Sequence, residues 1–466
     1  MRAPKLTKAS LDQFDPLSFV IAGLVPAIPI IRHSFAFPIE MAGTSPRPSG
    51  SILIDEVHGI DSSWIQTFWP TFWFQPESNA MPLQATVFSR LLQHVPWTAF
   101  ERAVATHNAD KGCRTLDARS HLAALMVGQL IEAHGLRDIE AVLAMHASAL
   151  RRRGIEPACR STLSDANAAR SPVPFEALIT ALLGKLSPTK ARYARKDLRL
   201  VDSTLVRPGA AAADWAQFQK GCVAAKVHVV YDPKNAVPTF FELTSANTND
   251  ITVAKAMMPL AAGATYIFDL GYYDFGFWAD LDAHGCRFVT RVKKNTPLTL
   301  VRKISRAGDG IVSDRIVRLP QRLASRRTNP FAKPGRAIKL AIEGGRHITL
   351  FTNDLTSPAT TIAELYKTRW QIELFFRWIK QNLRIRRFHG RSYNAVRLQI
   401  AAAIIVYLIL KLAHRDAKTR KTPAIFFASL RSALFHRLDL DSVVQRIERR
   451  TPKPNLANMP QLALAL

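Results

Sequence analysis

The chain has 466 residues, with 63 Lys and Arg against 36 Asp and Glu, a net charge of +27 and a pI near 10.4. Such an excess calls for a polyanion, most often nucleic acid, although a ribosomal-type or membrane-surface protein remains open on charge alone. A hydrophobic content of 48% excludes a disordered basic tail, and four scattered cysteines (Cys113, Cys159, Cys222, Cys286) support no zinc finger and fit a reducing cytosol. The length suggests two or three domains.

Residues 1–80 differ from the rest. They carry five basic and seven acidic residues, a crowd of tryptophans (Trp64, Trp69, Trp73) without a clear period, and an apolar run over 17–31 broken by Pro26 and Pro29. That run is short for a membrane span and has no clear cleavage site. The region reads as a poorly ordered extension, translated upstream of a natural start at Met81; an anchoring or regulatory arm is the alternative.

Residues 81–190 read as a helical domain. Apolar spacing predicts helices over 115–132, with Gly135 as a C-cap, and over 136–150, closed by Arg151, Arg152 and Arg153. Ser161 to Asp165 offers a capped start for another. Helices with basic ends suit recognition of a DNA end, with Arg151, Arg152, Arg153 and Arg160 as phosphate contacts; a solvated helix end explains each equally well.

Residues 191–420 alternate between strand and helix patterns. Leu198 to Val201 reads as a short buried strand ending at Asp202, and Thr265 to Phe268 as another ending at Asp269. Lys226 to Tyr231 and Phe240 to Leu243 are strands flanking a turn at 232–235. A helix follows over 249–262, then another over 275–284 and a strand over 287–292. The stretch 293–350 is a cation-rich, β-rich insertion, with strands over 337–340 and 348–352. Lys226 and His228 could face the site, but a lone strand histidine is more often structural. Residues 394–413 form an apolar helix, too short between its charges to cross a bilayer and read as core. Residues 421–466 form a helical region and tail.

The densest pattern is Tyr366, Arg369, Glu373 and Lys380. On one helix at about 100° per residue these fall within a stripe roughly 60° wide, which Arg377 and Arg384 extend. Ile372, Phe376 and Ile379 lie beside it as the buried face. An amphipathic helix with i,i+4 ion pairs would also give this pattern. One carboxylate among cations suits a metal ligand beside a polyphosphate chain. Two rigid aspartates at strand ends plus that glutamate can hold two divalent ions about 4 Å apart, activating an attacking oxygen and stabilising a leaving one.

Tyr366, Arg369, Glu373 and Lys380, separated by two, three and six residues, resemble the signature of IS-four family insertion-sequence transposases. The segments Val201–Thr204 and Phe268–Asp274 resemble that family's other two catalytic blocks, and the likeness runs from about 81 to 415. The resemblance implies an α/β fold: a ribonuclease-H-like catalytic core with a β-rich insertion, preceded by a helical N-terminal domain. The element order over 191–380 agrees. It implies a DNA transposase that cuts transposon ends and joins them to target DNA. Asp202, Asp269 and Glu373 would be the catalytic and metal-binding triad, using Mg2+ or Mn2+. Tyr366, Arg369, Lys380, Arg377 and Arg384 would contact DNA. Expected partners are double-stranded DNA, both terminal inverted repeats and target, and a second copy in a DNA-bound homodimer. No membrane is expected, and the place of action would be the cytoplasm, at the nucleoid. The family's insertion can carry an aromatic that stacks on a flipped base. No Trp occurs in this one and Phe331 is the substitute, while Trp370 is expected in the core. Two other readings stand beside this one: a ribonuclease-H-like nuclease without strand transfer, and an inactive transposase-derived DNA-binding protein.

Overall fold

The computed structural model describes residues 85–186 and 197–437, except 210–211, 213, 220–221, 306–309, 323–327, 343–344, 384 and 386–387, together with residue 443. The extension over 1–80, Arg384, most of the tail beyond 437 and the insertion's Arg306, Arg326 and Arg327 lie outside the described residues.

Helices come first: α1 (Val87–Gln93), α2 (Trp97–Thr106), α3 (Ala118–Leu130), α4 (Leu136–Met145), α5 (Ala147–Arg151), α6 (Arg160–Ala169) and α7 (Val173–Leu186). α3 is apolar nearly all round and buried nearly all round. The Asp117 carboxylate accepts the Ser120 N–H and satisfies one orphan donor at its start. Gly135 is not the C-cap of this helix. The chain reverses at Glu132, whose φ is 54°, and Gly135 is the extended N-cap of α4. The helix expected over 136–150 breaks at His146 into α4 and α5. α6 begins at Arg160 behind Cys159, without a side-chain cap, so Ser161 lies inside it rather than at its end. Arg151, Arg152, Arg153 and Arg160 are exposed.

The second part alternates: β1 (Leu198–Val206), β2 (Gln217–Gln219), β3 (Cys222–Val223), β4 (Ala225–Asp232), β5 (Val237–Ser245), α8 (Asp250–Met257), β6 (Thr265–Ile267), α9 (Phe275–Ala283) and β7 (Arg287–Arg291). Then come β8 (Thr299–Ser305), β9 (Ile311–Arg318), β10 (Gly335–Ile342) and β11 (Arg346–Thr352), followed by α10 (Ala359–Lys367), α11 (Trp370–Asn382), α12 (Tyr393–Asp416) and α13 (Pro423–Ser432). α8 stops at Met257 instead of reaching 262, because Pro259 cannot continue it.

Nine strands form one sheet in the order β5-β4-β1-β6-β7-β11-β10-β9-β8. β1, β6 and β7 run parallel, while β4 pairs antiparallel with both β1 and β5. That five-strand pattern, a meander followed by two parallel strands joined through a helix, is the ribonuclease-H-like arrangement. The insertion does not form a separate body: β11 pairs antiparallel with β7, so β8–β11 lengthen the same sheet.

Strand alternation sorts the core into two layers. Leu200, Val229, Ile267, Val289 and Leu350 face a cluster shared with α10–α13 and the N-terminal helices. Val201, Val230, Tyr266, Phe268, Phe288 and Phe351 face a second cluster with α8 and α9. Each fully buried Leu, Ile, Val or Phe contributes roughly 1.5–3 kcal/mol of transfer free energy. α12 carries the first cluster. At 24 residues it is longer than expected and apolar enough by length and composition to cross a membrane, but Ala401 to Leu410 are all buried inside the protein. The Ser392 hydroxyl accepts the Ala395 N–H and caps its start.

Candidate active site

Asp202 is not at the end of its strand. β1 continues to Val206 because β4 pairs with it throughout, with Asp202 opposite Val229. Its other neighbour, β6, pairs only as far as Leu200. Asp202 therefore sits just past the end of the parallel pairing, in mid-strand but at the rim. It shares the Leu200 and Thr204 face, the side on which α11 packs.

Asp269 follows β6 by two residues. Its Oδ1 accepts the Gly271 N–H at 2.8 Å and opens a 3-10 turn over Leu270–Tyr272. The Thr290 hydroxyl donates to its carbonyl at 3.3 Å, tying this loop to β7. Both aspartates thus stand at the same rim, one within β1 and one just past the end of the adjacent β6.

The motif residues are not on one helix. α10 ends at Lys367 and α11 starts at Trp370. The Thr368 hydroxyl donates to the Leu365 carbonyl, and the Arg369, Gln371 and Ile372 N–H groups each reach back three residues. This tightening interrupts the regular ladder. Tyr366 therefore belongs to α10, while Glu373 and Lys380 belong to α11. Glu373 lies in the first turn of α11, where the helix dipole favours a carboxylate.

Arg369 joins the set. Its guanidinium contacts Glu373 Oε1 at 2.6 Å and Asp202 Oδ2 at 3.5 Å, and shares a side-chain hydrogen bond with Tyr366. Burial works against its charge, but Glu373, Tyr366 and Asp202 outweigh it and raise the Arg369 pKa. Asp202 is pushed up to about 6, first by burial and then by the charges of Asp269 and Glu373, against the Ser203 N–H and Arg369. Asp202 thus senses both Asp269 and Glu373, and the Arg369 guanidinium bridges Asp202 and Glu373. Among the described residues, no group of three His, Cys, Asp or Glu side chains stands ready to hold a metal ion.

Lys380 Nζ donates to Thr204 Oγ1 at 2.6 Å, two residues along β1 from Asp202. Arg377 is exposed on α11. Trp370 is half-exposed at the start of α11, not in the core. Phe331 is buried among Phe288 and Phe351 and cannot reach a base.

Sequence reasoning missed a second polar cluster behind the rim. Asp250 Oδ1 lies 3.3 Å from Lys226 Nζ and 3.4 Å from His228 Nδ1. The His228 contact is close enough for an ion pair but misaligned as a hydrogen bond. Burial pushes His228 down to about 4, which keeps the ring neutral despite Asp250. The Tyr272 phenol is buried without a hydrogen-bond partner; burial and then Asp250, Asp202 and Asp269 raise its pKa. Lys226 and His228 are two apart on one strand and so share a face. That was the legible signal, but Asp250 reads as an ordinary helix start.

A ribonuclease-H-like sheet with paired rim aspartates and a helix-borne glutamate defines a class of nucleic-acid phosphoryl-transfer enzymes. Residues 193–409, which include all three carboxylates, match the family described as Transposase DDE domain, and residues 83–156 match a domain of unknown function. Transposase y4zB of Sinorhizobium fredii is 40% identical over 287 residues, covering 60% of this chain and 79% of that protein. The transposase for insertion sequence element IS5377 of Geobacillus stearothermophilus is 28% identical over 257 residues, or 54% of this chain and 66% of that protein. A solved piggyBac transposase synaptic complex with hairpin DNA aligns over 81% of this chain and 85% of that one, at 11% identity and a TM-score of 0.41. The chain belongs to the DDE transposases of insertion sequences. It is a DNA transposase, and this family generally uses divalent metal ions.

Proposed function

We propose that the protein cleaves the ends of its insertion sequence and joins them to target DNA, with Asp202, Asp269 and Glu373 as its catalytic carboxylates. The observation that carries this reading is that Asp202 lies near enough to sense both Asp269 and Glu373, while Arg369 bridges Asp202 and Glu373 although these two stand 171 positions apart. The donor set fits a divalent cation: hard carboxylate oxygens at a rigid sheet rim, with only partial charge compensation. Mg2+ or Mn2+ held by these three residues would supply the activation of water or a 3′-hydroxyl and the stabilisation of the leaving oxygen.

The chain's own residues bind and orient. The Ser203 and Gly271 N–H groups each hold one aspartate oxygen, and the other oxygen of Asp202 meets Arg369. Charge builds on the phosphoryl oxygens in the transition state, and Arg369 and Lys380 are the cations placed to offset it. Tyr366 orients the Arg369 fork. Arg377, and Arg384 by its spacing, would follow the DNA backbone away from the reacting bond. The basic helix ends at Arg151, Arg152, Arg153 and Arg160 are the proposed contacts to the terminal repeats. The partners are then double-stranded DNA and a second copy of the chain, in the cytoplasm at the nucleoid.

The test is Glu373→Gln, assayed on duplexes carrying the element's terminal repeats. Nicking and strand joining should fall by at least about a thousandfold while end binding persists. Retained nicking would remove Glu373 from the chemistry, and nicking without joining by the wild-type protein would leave a nuclease.

A further inference from the structure

We infer that Arg369 is the resident counter-ion of the carboxylate cluster, and that the incoming cation and a DNA phosphate displace it together. The inference rests on the proposed metal-binding role of Asp202, Asp269 and Glu373. It adds a linkage between metal and DNA that this role does not require.

Three carboxylates crowd a half-buried rim, and such a cluster is costly unless a positive charge is held against it. Arg369 supplies that charge. One nitrogen of its fork sits 2.6 Å from Glu373 and another 3.5 Å from Asp202, so one planar group bridges the sheet and the helix. The nearby Lys380 ammonium donates to the Thr204 hydroxyl. With the guanidinium between them, Asp202 and Glu373 present oxygens to nitrogen rather than to a common point.

The same fork suits a phosphate as well as a carboxylate, because both offer paired oxygens in one plane. A cation binding the carboxylates frees the fork, and a phosphate accepting the fork frees the carboxylates. Each event therefore strengthens the other by the same factor. The short turn at Thr368 and Arg369, outside both regular helices, lets the Arg369 side chain change partner without repacking the buried face of α11.

The experiment titrates Mn2+ into the purified full-length protein by calorimetry, with and without a short DNA duplex, for the wild type, Arg369→Gln and Arg369→Lys. Without DNA, Arg369→Gln should bind Mn2+ about tenfold more tightly than the wild type, within the usual range for coupled sites. The duplex should tighten Mn2+ binding to the wild type but not to Arg369→Gln. Arg369→Lys keeps the charge without the fork, should fall between the two, and serves if Arg369→Gln fails to fold. Equal Mn2+ affinities across the three proteins, with an equal response to the duplex, would overturn the linkage and leave the triad intact. Mn2+ binding by none of the three would remove the metal-binding reading, and this inference with it.

Discussion

At the scale of single residues, Asp202 carries a measurable signature. Its carboxyl is pushed up to about 6 by burial and by the neighbouring carboxylates, so below that pH it holds a proton that a cation would have to displace. Mn2+ binding should therefore weaken as the pH falls through 6, where an ordinary aspartate would hold on to about 4. The stability sign is the reverse. A carboxyl whose folded pKa lies above its unfolded value favours folding at low pH, and that advantage is lost as the pH rises through 6. Asp202→Asn should then stabilise the metal-free protein at pH 8 by up to about 3 kcal/mol, with the gain gone by pH 4. Urea melts at the two pH values check this, and a pH-independent difference would contradict it. Asp202, Asp269, Glu373 and Arg369 stood out as candidates in the sequence because chemistry-bearing residues followed apolar runs or recurred at helical spacing. The pairing of Arg369 with Asp202 was not legible, since it depends on how α11 crosses β1. The Asp250, Lys226 and His228 cluster was only half legible: Lys226 and His228 share a face of β4, but Asp250 joins them from α8 with no joint spacing.

At the scale of elements, existence and order were readable from periodicity, while ends and breaks were decided by contacts. β1 runs past Asp202 because β4 continues to pair with it, information that a four-residue apolar run cannot contain. α10 and α11 read as one helix because their apolar periods agree across the break. The break comes from the Thr368 hydroxyl bonding a carbonyl one turn back. The helix expected over 394–413 runs on to Asp416, and the charges that interrupt its apolar run, Arg397 and Lys411, lie inside it. Arg397 pairs with Glu176 and Glu242, and Lys411 lies near the Tyr407 ring. The insertion's attachment through β10 and β11 gives a sharp test. A Cβ on Gly335 would lie 2.2 Å from the Phe351 ring, which is fully buried against Trp278, Phe288 and Phe331. Gly335→Ala should cost about 1–3 kcal/mol by overpacking, read as a lower urea midpoint. An unchanged midpoint would mean that β10 does not press on that aromatic cluster.

At the scale of the whole molecule, net charge pointed to a polyanion and the sheet supplies the platform. A nine-stranded sheet with helices on both faces brings Asp202, Asp269 and Glu373 to one rim, where β1 and β6 stop pairing and α11 crosses. The ribonuclease-H-like core was readable from element order alone. The joining of the insertion to that sheet was not, because the antiparallel pairing of β11 with β7 skips three intervening strands and leaves no local signal. Asp202, Asp269 and Glu373, distant in sequence, are proposed to share one metal-binding site. The most direct measurement is Fe2+-mediated hydroxyl-radical cleavage of the full-length protein, with the cut sites mapped by mass spectrometry. Cuts should cluster around residues 202, 269 and 373 and vanish with excess Mg2+. Cuts confined to other segments, or cuts near only one of the three that Mg2+ does not suppress, would contradict the claim.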